Sequence, residues 1–178
     1  MKKKLSLDYI EKIKDLKVLS DRYTPTIIKP ALNYALGWLV PELLGTGFEL
    51  KEVTDERIKA LIPYKKINCD FHGQIHSGLV VNAAFEVLGT FVSRHWAVKA
   101  WEIVSYETEV SKKSQWDKDL LLELSVLPED ADKFVVDLQK NERSILEVTI
   151  TIKTKGSHRS DFVKIKADVV KRKLLNSI

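Results

Sequence analysis

INCDFHGQIHSGLVVNAAFEVLGTFVSRHW, residues 67–96, is the stretch of the sequence that decides the fold. It opens with a polar loop rich in Gly and His, from Asn68 to Ser77, and continues as an apolar segment from about Gly78 to Ser93. The apolar residues of this segment recur at the i, i+3, i+4 and i+7 spacing of a helix. They are Leu79, Val80, Ala83, Ala84, Val87, Leu88, Phe91 and Val92. Because they cover most of the cylinder, the spacing predicts a helix buried in the protein core.

One line of this helix is polar or small. Asn82, Glu86, Gly89 and Ser93 follow one another at intervals of three or four residues, so their side chains are neighbours on the helix surface. A charged side chain on a buried helix is costly unless it has a partner, which indicates a specific role for the carboxylate. We therefore expect the functional site along this line and in the loop before it.

Composition limits the class of protein. A chain of 178 residues is long enough for one domain with a sizeable core, and its single cysteine, Cys69, excludes an internal disulfide. Charged residues interrupt residues 1–16, and no segment approaches the roughly 18 apolar residues of a membrane-spanning helix. We expect a cytoplasmic protein without a membrane span.

The net charge of +4 is weak evidence for an anionic partner, because the lysines are spread along the chain. A phosphate-bearing small molecule fits this charge as well as nucleic acid does. Residues 1–42 are too few for a DNA-binding module with a linker, so nucleic acid is not an expected partner.

The remaining pattern predicts an α+β protein. Residues 1–42 read as a helical extension, and strands are predicted within residues 43–173, on both sides of the buried helix. Most of these strands alternate apolar and polar residues, which is typical of an antiparallel sheet covered on one face. The predicted strands are 48–53, 57–63, 104–110, 120–127, 146–153 and 163–169, with a short helix beginning at Pro128. These features together predict an antiparallel sheet wrapped around one long central helix.

Three segments resemble the acyl-thioester superfamily with the hotdog fold. They are LLGTGFELKEV (43–53), NCDFHGQIHSGLVVNAAFEVLG (68–89) and LPEDADKFVVDLQKNERSILEVTITIK (127–153). The third segment is similar to a helix-then-strand insertion in a bacterial branch of thioesterase-like proteins. The loop and helix are also similar to the effector domain of a fatty-acid-synthesis repressor that senses malonyl-CoA. A fainter resemblance is to a flagellum-coregulated Campylobacter virulence factor with the same fold.

The resemblance implies a homodimer, or a higher homo-oligomer, that binds acyl-CoA at the interface between subunits. It places the thioester near the amino end of the buried helix, where unpaired N–H groups stabilise negative charge. The implied ligand-binding residues are His72, Gly73, Gln74, Ile75, His76, Ser77 and Gly78. The implied catalytic residues are Glu86 and Asn82, with CoA as part of the ligand and no further cofactor or metal.

The sequence departs from the thioesterase pattern at one position. Many hotdog thioesterases carry a catalytic Asp or Glu nine residues after the His at the helix start. Nine residues after His76 is Phe85, and Glu86 follows at ten, about 100° further round the helix. Asn82, six residues after His76, matches the spacing of the malonyl-CoA sensor better. Hydrolysis and binding without hydrolysis are therefore both open.

Other roles are open for several of these side chains. Glu86 could be a general base, a ligand or dimer contact, a solvent-exposed side chain, or a buried carboxylate satisfied by Asn82, His72 or the partner chain. His72 and His76 have a metal-ligand spacing, and Cys69 beside His72 could be a nucleophile, but further ligands or partners are not evident in the sequence. Arg94, His95 and Lys99 could meet CoA phosphates, although cations at a helix carboxyl end usually stabilise the helix dipole.

Overall fold

The computed structural model describes residues 43, 45–95, 101–157 and 160–171. The helical extension predicted at 1–42 and the last residues of the domain predicted at 43–173 lie outside these ranges. The strands are β1 (Glu49–Val53), β2 (Arg57–Ile62), β3 (Trp101–Ser111), β4 (Leu120–Ser125), β5 (Arg143–Thr154) and β6 (Ser160–Lys171). The helices are α1 (Ser77–His95) and α2 (Pro128–Asn141), and a 3-10 turn spans Lys66–Asn68.

The six strands form one antiparallel sheet in the order β1-β2-β4-β5-β6-β3. Buried and exposed residues alternate along β5 and β6, as the sequence pattern predicts. Both helices cover the same, apolar face of the sheet. The predicted architecture, an antiparallel sheet with a long helix packed against it, is confirmed.

Helix α1 packs against β2 and β4 through one side only. Its buried residues are Val80, Ala83, Ala84, Val87, Leu88, Phe91 and Val92. The other side, including Asn82, Phe85 and Glu86, is half-buried within the described part of the chain. The sequence predicts burial on nearly all sides, but a sheet on one side covers only one half of the cylinder. The polar line therefore lies on the side of α1 that the sheet leaves open.

Helix α2 covers the half of the sheet that α1 does not reach. It begins at Pro128, a residue favoured in the first helical turn, and ends before Glu142, whose φ of 55° breaks the helical path. Ala131, Phe134 and Leu138 are buried on its apolar face. The sheet core is thus closed by two helices, of which α2 carries a mostly charged outer face.

Strand β3 is an edge strand of unusual character. A bulge between Ile103 and Ser105 shifts its register against β6, so the simple alternation predicted from Val104 to Val110 does not hold at its start. Beyond the bulge, Tyr106 and Val110 lie opposite the buried Ala167 and Val163, on the core face, yet both are exposed. No strand lies on the outer side of β3 among the described residues.

The antiparallel register places the connections at two ends. At the amino end of α1 lie residues 63–76, the β3–β4 loop 112–119 and the β5–β6 turn beginning at 155. At the other end, the Arg94 guanidinium pairs with the Asp55 carboxylate and His95 Nε2 lies 2.9 Å from the Asp55 carbonyl oxygen. These two side chains therefore hold the carboxyl end of α1 against the β1–β2 turn.

Neither helix in the described ranges combines the length and the apolar character needed to cross a bilayer.

Candidate functional site

The loop before α1 is folded around the Asp70 side chain. Its carboxylate oxygen Oδ1 accepts the backbone N–H groups of His72 at 2.8 Å and Gln74 at 3.1 Å. Gly73 closes the turn: its N–H donates to the Asp70 carbonyl at 3.0 Å, and its φ of 72° is a left-handed conformation that glycine adopts freely. The N–H of Gln74, with further help from that of His72 and the charges of His72 and Lys112, outweighs burial and lowers the pKa of Asp70.

Three longer-range hydrogen bonds fix this loop on the rest of the protein. The Ile75 N–H donates to the Trp116 carbonyl at 2.8 Å, and the His76 N–H donates to the Asn68 carbonyl at 2.9 Å. The Tyr64 hydroxyl donates to the Gly73 carbonyl at 2.9 Å. The backbone N–H groups from His72 to His76 are therefore all engaged within the fold.

Helix α1 begins with a side-chain cap from His76. Its imidazole Nδ1 accepts the Gly78 N–H at 3.0 Å, and its carbonyl accepts the N–H groups of Leu79 and Val80. Within the described chain, no acceptor lies on the N–H of Ser77, the first residue of the helix. The Ser77 N–H is thus well placed to donate a hydrogen bond to an anionic oxygen. The Gly78 N–H can do the same once the imidazole turns aside.

The predicted ligand-binding residues differ in what they present. His72, Gly73, His76 and Ser77 are exposed, whereas Gln74 and Gly78 are half-buried. The Ile75 side chain is fully buried in the core, so it anchors the loop and contributes to a site only through its backbone. The structure brings these residues together at one end of α1.

The predicted catalytic residues lie further along the helix. Asn82 and Glu86 are one turn apart on the half-buried side of α1. Eight residues separate Gly78 from Glu86, which is about 12 Å along the axis at about 1.5 Å per residue. The hydroxyls of Thr90 and Ser93 donate to the Glu86 and Gly89 carbonyls, both at 2.7 Å, and so turn back to the helix.

The open side of α1 faces the inner side of β3. The ring of Phe85 meets the ring of Tyr106 edge-on, with 4.4 Å between centroids. One turn further, a Cβ on Gly89 would lie 3.9 Å from the Trp101 ring. We define the α1–β3 surface as Asn82, Phe85, Glu86, Tyr106 and Val110. It combines apolar side chains with one amide and one carboxylate.

Sequence reasoning missed the residues that position this loop. Tyr64, Asp70 and Trp116 each form one of its hydrogen bonds, and Asp161 in turn binds the Trp116 indole at 2.7 Å. Asp70 has a local signal in the sequence. An Asp whose side chain can accept the backbone N–H two residues later, followed by a glycine such as Gly73, is typical of a side-chain-stabilised turn. The contacts of Tyr64, Trp116 and Asp161 depend on the folded sheet and have no such signal.

Two buried polar atoms have no partner within the described residues: Asn68 Oδ1 and Trp101 Nε1. Asn68 is only 2% exposed, and its Nδ2 donates to the carbonyls of Thr46 and Pro63. It therefore ties the 3-10 turn to the start of β1, a structural role that the sequence did not indicate.

Cys69 and the histidines do not form a cluster in the described part of the chain. Cys69 is half-buried and its Sγ donates to the Lys65 carbonyl at 3.2 Å, while the His72 ring contacts the Phe71 ring at 4.0 Å. No three His, Cys, Asp or Glu side chains come together there in a way that could hold a metal ion.

Two cavities bounded by described residues lie away from the amino end of α1. One of about 690 Å³ is open to solvent and lies between the β1–β2 turn and the start of α2. Another of about 440 Å³ lies between α2 and β5.

Comparison of the fold with solved structures finds close architectural relatives. A protein from Pseudomonas aeruginosa described as a probable thioesterase superposes with a TM-score of 0.66 at 8% identity, over 80% of this chain and 96% of its own. A thioesterase family protein from Silicibacter pomeroyi gives 0.55 at 15%, over 79% and 96%. A thioesterase from Haemophilus influenzae gives 0.54 at 12%, over 74% and 84%.

No protein-family model matches the sequence, and no curated protein is similar to it. At sequence identities this low, the structural similarity establishes the fold alone. The protein thus has the hotdog fold of thioesterase-family structures, as its sequence predicts.

Proposed function

We propose that this protein binds a fatty acyl-CoA thioester between the α1–β3 surfaces of two subunits and hydrolyses it to a fatty acid and free CoA. The observation that carries the proposal is that Asn82 and Glu86 lie on the side of α1 that the sheet leaves open, facing β3, whose outer side has no neighbouring strand among the described residues. These two polar residues therefore lie outside the buried core, on the side of the helix where a second subunit is proposed to bind.

A second copy of the chain is the partner that fits β3. The outer edge of an 11-residue strand presents a row of backbone N–H and C=O groups, which pair readily with another strand. Two β3 strands related by a twofold axis pair antiparallel, and this brings the two α1–β3 surfaces together. Tyr106 and Val110, exposed on the core face of one chain, become covered in the dimer.

The amino end of α1 supplies the electrophilic part of the proposed site. A thioester carbonyl accepts hydrogen bonds from Ser77 N–H and, once the His76 imidazole moves, from Gly78 N–H. Attack of water at the carbonyl carbon places negative charge on this oxygen, and helix N–H groups stabilise that charge. Collapse of the intermediate breaks the C–S bond and leaves CoA as the thiol after proton transfer to sulfur.

Glu86 supplies the proposed base. Its carboxylate removes a proton from the attacking water, and Asn82, one turn before it, hydrogen-bonds the water or the acyl oxygen. The separation of about 12 Å along α1 is too large for Gly78 and Glu86 of one helix to meet the same carbonyl group. Each proposed site therefore takes its amides from one protomer and its carboxylate from the partner.

A second candidate function is a non-catalytic acyl-CoA sensor. It is favoured by Phe85, which stands nine residues after His76 and packs on Tyr106. In this case Asn82 and His76 hydrogen-bond the thioester and no residue activates water. Both candidates use the same surface and the same class of ligand.

The test combines turnover and binding on one set of variants. Thiol release from acyl-CoAs of different chain lengths is measured for the wild type, Glu86→Gln and the control Glu107→Gln, whose side chain lies exposed on β3. Calorimetry with a non-hydrolysable thioether analogue measures binding. Hydrolysis that falls at least 100-fold in Glu86→Gln, with binding retained, supports the enzyme.

Other outcomes decide between the alternatives. Tight binding without turnover in the wild type supports the sensor, and the absence of both at every chain length refutes both functions. Mixing Glu86→Gln subunits with Gly78→Val subunits tests the shared site, because one heterodimer contains one complete set of residues. Activity that does not return on mixing contradicts a site built from two chains.

A further inference from the structure

A group of exposed lysines surrounds the amino end of α1, and the functional assignment above does not use it. We define the lysine rim as six residues on three neighbouring connections. They are Lys65 and Lys66 before α1, Lys112, Lys113 and Lys118 in the β3–β4 loop, and Lys155 in the β5–β6 turn. All six side chains belong to exposed residues.

Hydrogen bonds hold the three connections of the rim together. The Trp116 carbonyl accepts the Ile75 N–H at 2.8 Å, and the Lys112 ammonium lies 4.6 Å from the centre of the Trp116 ring. The Asp119 carboxylate accepts the Tyr64 N–H at 2.8 Å, and the Asp119 carbonyl accepts the Lys155 N–H at 3.1 Å. The rim is therefore a fixed surface beside the proposed thioester position.

The ammonium groups of the rim are available to a ligand. None of the six forms an ion pair within the described residues, whereas at the opposite end Arg57, Arg94 and Arg143 each bind a carboxylate. Lys133 and Lys140 of α2 also form no ion pair with any described residue, but they lie on one helix away from the site.

The aspartates at this end neutralise the rim only in part. The carboxylates of Asp70, Asp119 and Asp161 each accept backbone N–H groups of the surrounding loops. Asp117, in the β3–β4 loop, is the fourth aspartate at this end of the protein and is exposed. Six lysines against four aspartates leave an excess of positive charge, which attracts anions over a distance of about 8–10 Å at ordinary ionic strength.

We propose that the lysine rim binds the phosphates of the 3′-phosphorylated ADP group of CoA and so selects CoA thioesters over thioesters that lack this group. The inference rests on the proposed function, because it assumes a thioester at the amino end of α1. In a CoA thioester the pantetheine arm separates the sulfur from the phosphates. A ligand held at Ser77 therefore places its phosphates outside the helix end, where the rim lies.

The experiment uses the full-length protein and probes that separate the two ends of the ligand. Calorimetry measures binding of adenosine 3′,5′-bisphosphate, CoA, dephospho-CoA and an acyl-pantetheine thioether. The test variant is Lys112→Glu/Lys118→Glu, and the matched control is Lys133→Glu/Lys140→Glu on α2. Melting curves establish that both variants are folded.

The expected result is binding of the bisphosphate and of CoA that weakens at least tenfold in the rim variant and less than twofold in the control. Dephospho-CoA is bound severalfold more weakly than CoA, and raising the salt concentration weakens both, because the contacts are exposed and screened. Acyl-pantetheine binding stays the same in all three proteins.

Several results overturn the inference. If CoA and the bisphosphate bind equally well to the wild type and to the rim variant, these lysines are excluded as the phosphate site. If the wild type binds acyl-pantetheine but neither CoA nor the bisphosphate, the thioester function stands and the phosphate-binding role of the rim is refuted. Preferential binding of an acidic acyl carrier protein would have the same meaning. Binding of the bisphosphate without any thioester ligand would support the rim and refute the proposed function.

Discussion

The Asp161 carboxylate accepts the indole N–H of Trp116 at 2.7 Å, a contact between residues 45 positions apart in the sequence. The same carboxylate accepts the N–H groups of Lys113 and Ser114 and the Ser114 hydroxyl, and Asp161 is only 1% exposed. Because the Trp116 carbonyl binds Ile75, one buried side chain of β6 positions the β3–β4 loop and, through it, the loop before α1.

Replacement of Asp161 tests this connection. In Asp161→Asn, an amide N–H₂ replaces one carboxylate oxygen and faces donors, so two or more hydrogen bonds to a charged acceptor are lost. We expect the free energy of unfolding to fall by about 2–4 kcal/mol. Urea denaturation at neutral pH measures it. Asp117→Asn, at an exposed aspartate of the same loop, is the control and should change the value by less than about 0.5 kcal/mol.

The stabilisation by Asp161 should depend on pH in one direction. Burial raises the pKa of its carboxyl, but the hydrogen bonds from Ser114, Lys113 and Trp116 outweigh this and hold it below the ordinary value of 3.8. A carboxylate with a lowered pKa stabilises the folded state above its unfolded pKa and loses this effect as the pH falls through the folded one.

We therefore expect the stability difference between the wild type and Asp161→Asn to be full at pH 7 and to shrink below about pH 3.8. Urea denaturation of both proteins at a series of pH values measures the difference. Other carboxylates with lowered pKa, such as Asp70 and Asp168, occur in both proteins and cancel in the comparison. A difference that grows on acidification contradicts the assigned direction.

The elements most accurately predicted are those whose local pattern agrees with their final environment. α1, β5 and β6 have apolar residues at regular spacing, and the core buries these residues except Leu79 of α1. β3 was predicted less well because its bulge changes the alternation and because its apolar core face is exposed in the single chain. The Asp161–Trp116 contact depends on the pairing of β3 with β6, which no local pattern encodes.

The candidate site, too, was predicted from the sequence only in part. The loop, the helix start and the polar line were located from the sequence, because glycines, histidines and helical spacing are local signals. The sequence did not reveal that loop hydrogen bonds occupy the N–H groups from His72 to His76, or that His76 caps α1. The assignments of Glu86 and Asn82 to catalysis stay predictions.

Two glycines of α1 allow function and stability to be separated. A Cβ on Gly78 would lie 3.0 Å from the His76 ring, so Gly78→Ala places a methyl group in the space through which the proposed thioester oxygen reaches the Ser77 and Gly78 amides, whether or not the imidazole has moved. We expect thioester hydrolysis or binding to fall at least tenfold. Alanine in place of glycine stabilises a helix by up to about 1 kcal/mol, so we expect the melting temperature of Gly78→Ala to stay close to that of the wild type.

Gly89→Ala is the matched control on the same helix. A Cβ there would meet the Trp101 ring at 3.9 Å, an ordinary contact, so the substitution should raise the free energy of unfolding by up to about 1 kcal/mol without loss of activity. Parallel melting curves and thiol-release assays compare the two variants. Equal activity in Gly78→Ala and Gly89→Ala would remove the helix start from the proposed site.

The edge of β3 gives the prediction for assembly. Tyr106 is 61% exposed, lies on the core face of β3 and contacts Phe85. If two β3 strands pair, Tyr106→Glu places a carboxylate in the buried interface, where an unpaired charge costs several kcal/mol.

Ile145→Glu is the control, since Ile145 is 62% exposed on β5, away from β3. Sedimentation at micromolar concentration should show dimers for the wild type and Ile145→Glu and monomers for Tyr106→Glu. Circular dichroism should show all three proteins folded. A wild type that sediments as a monomer contradicts the paired edge, and with it a thioester site composed of residues from two chains.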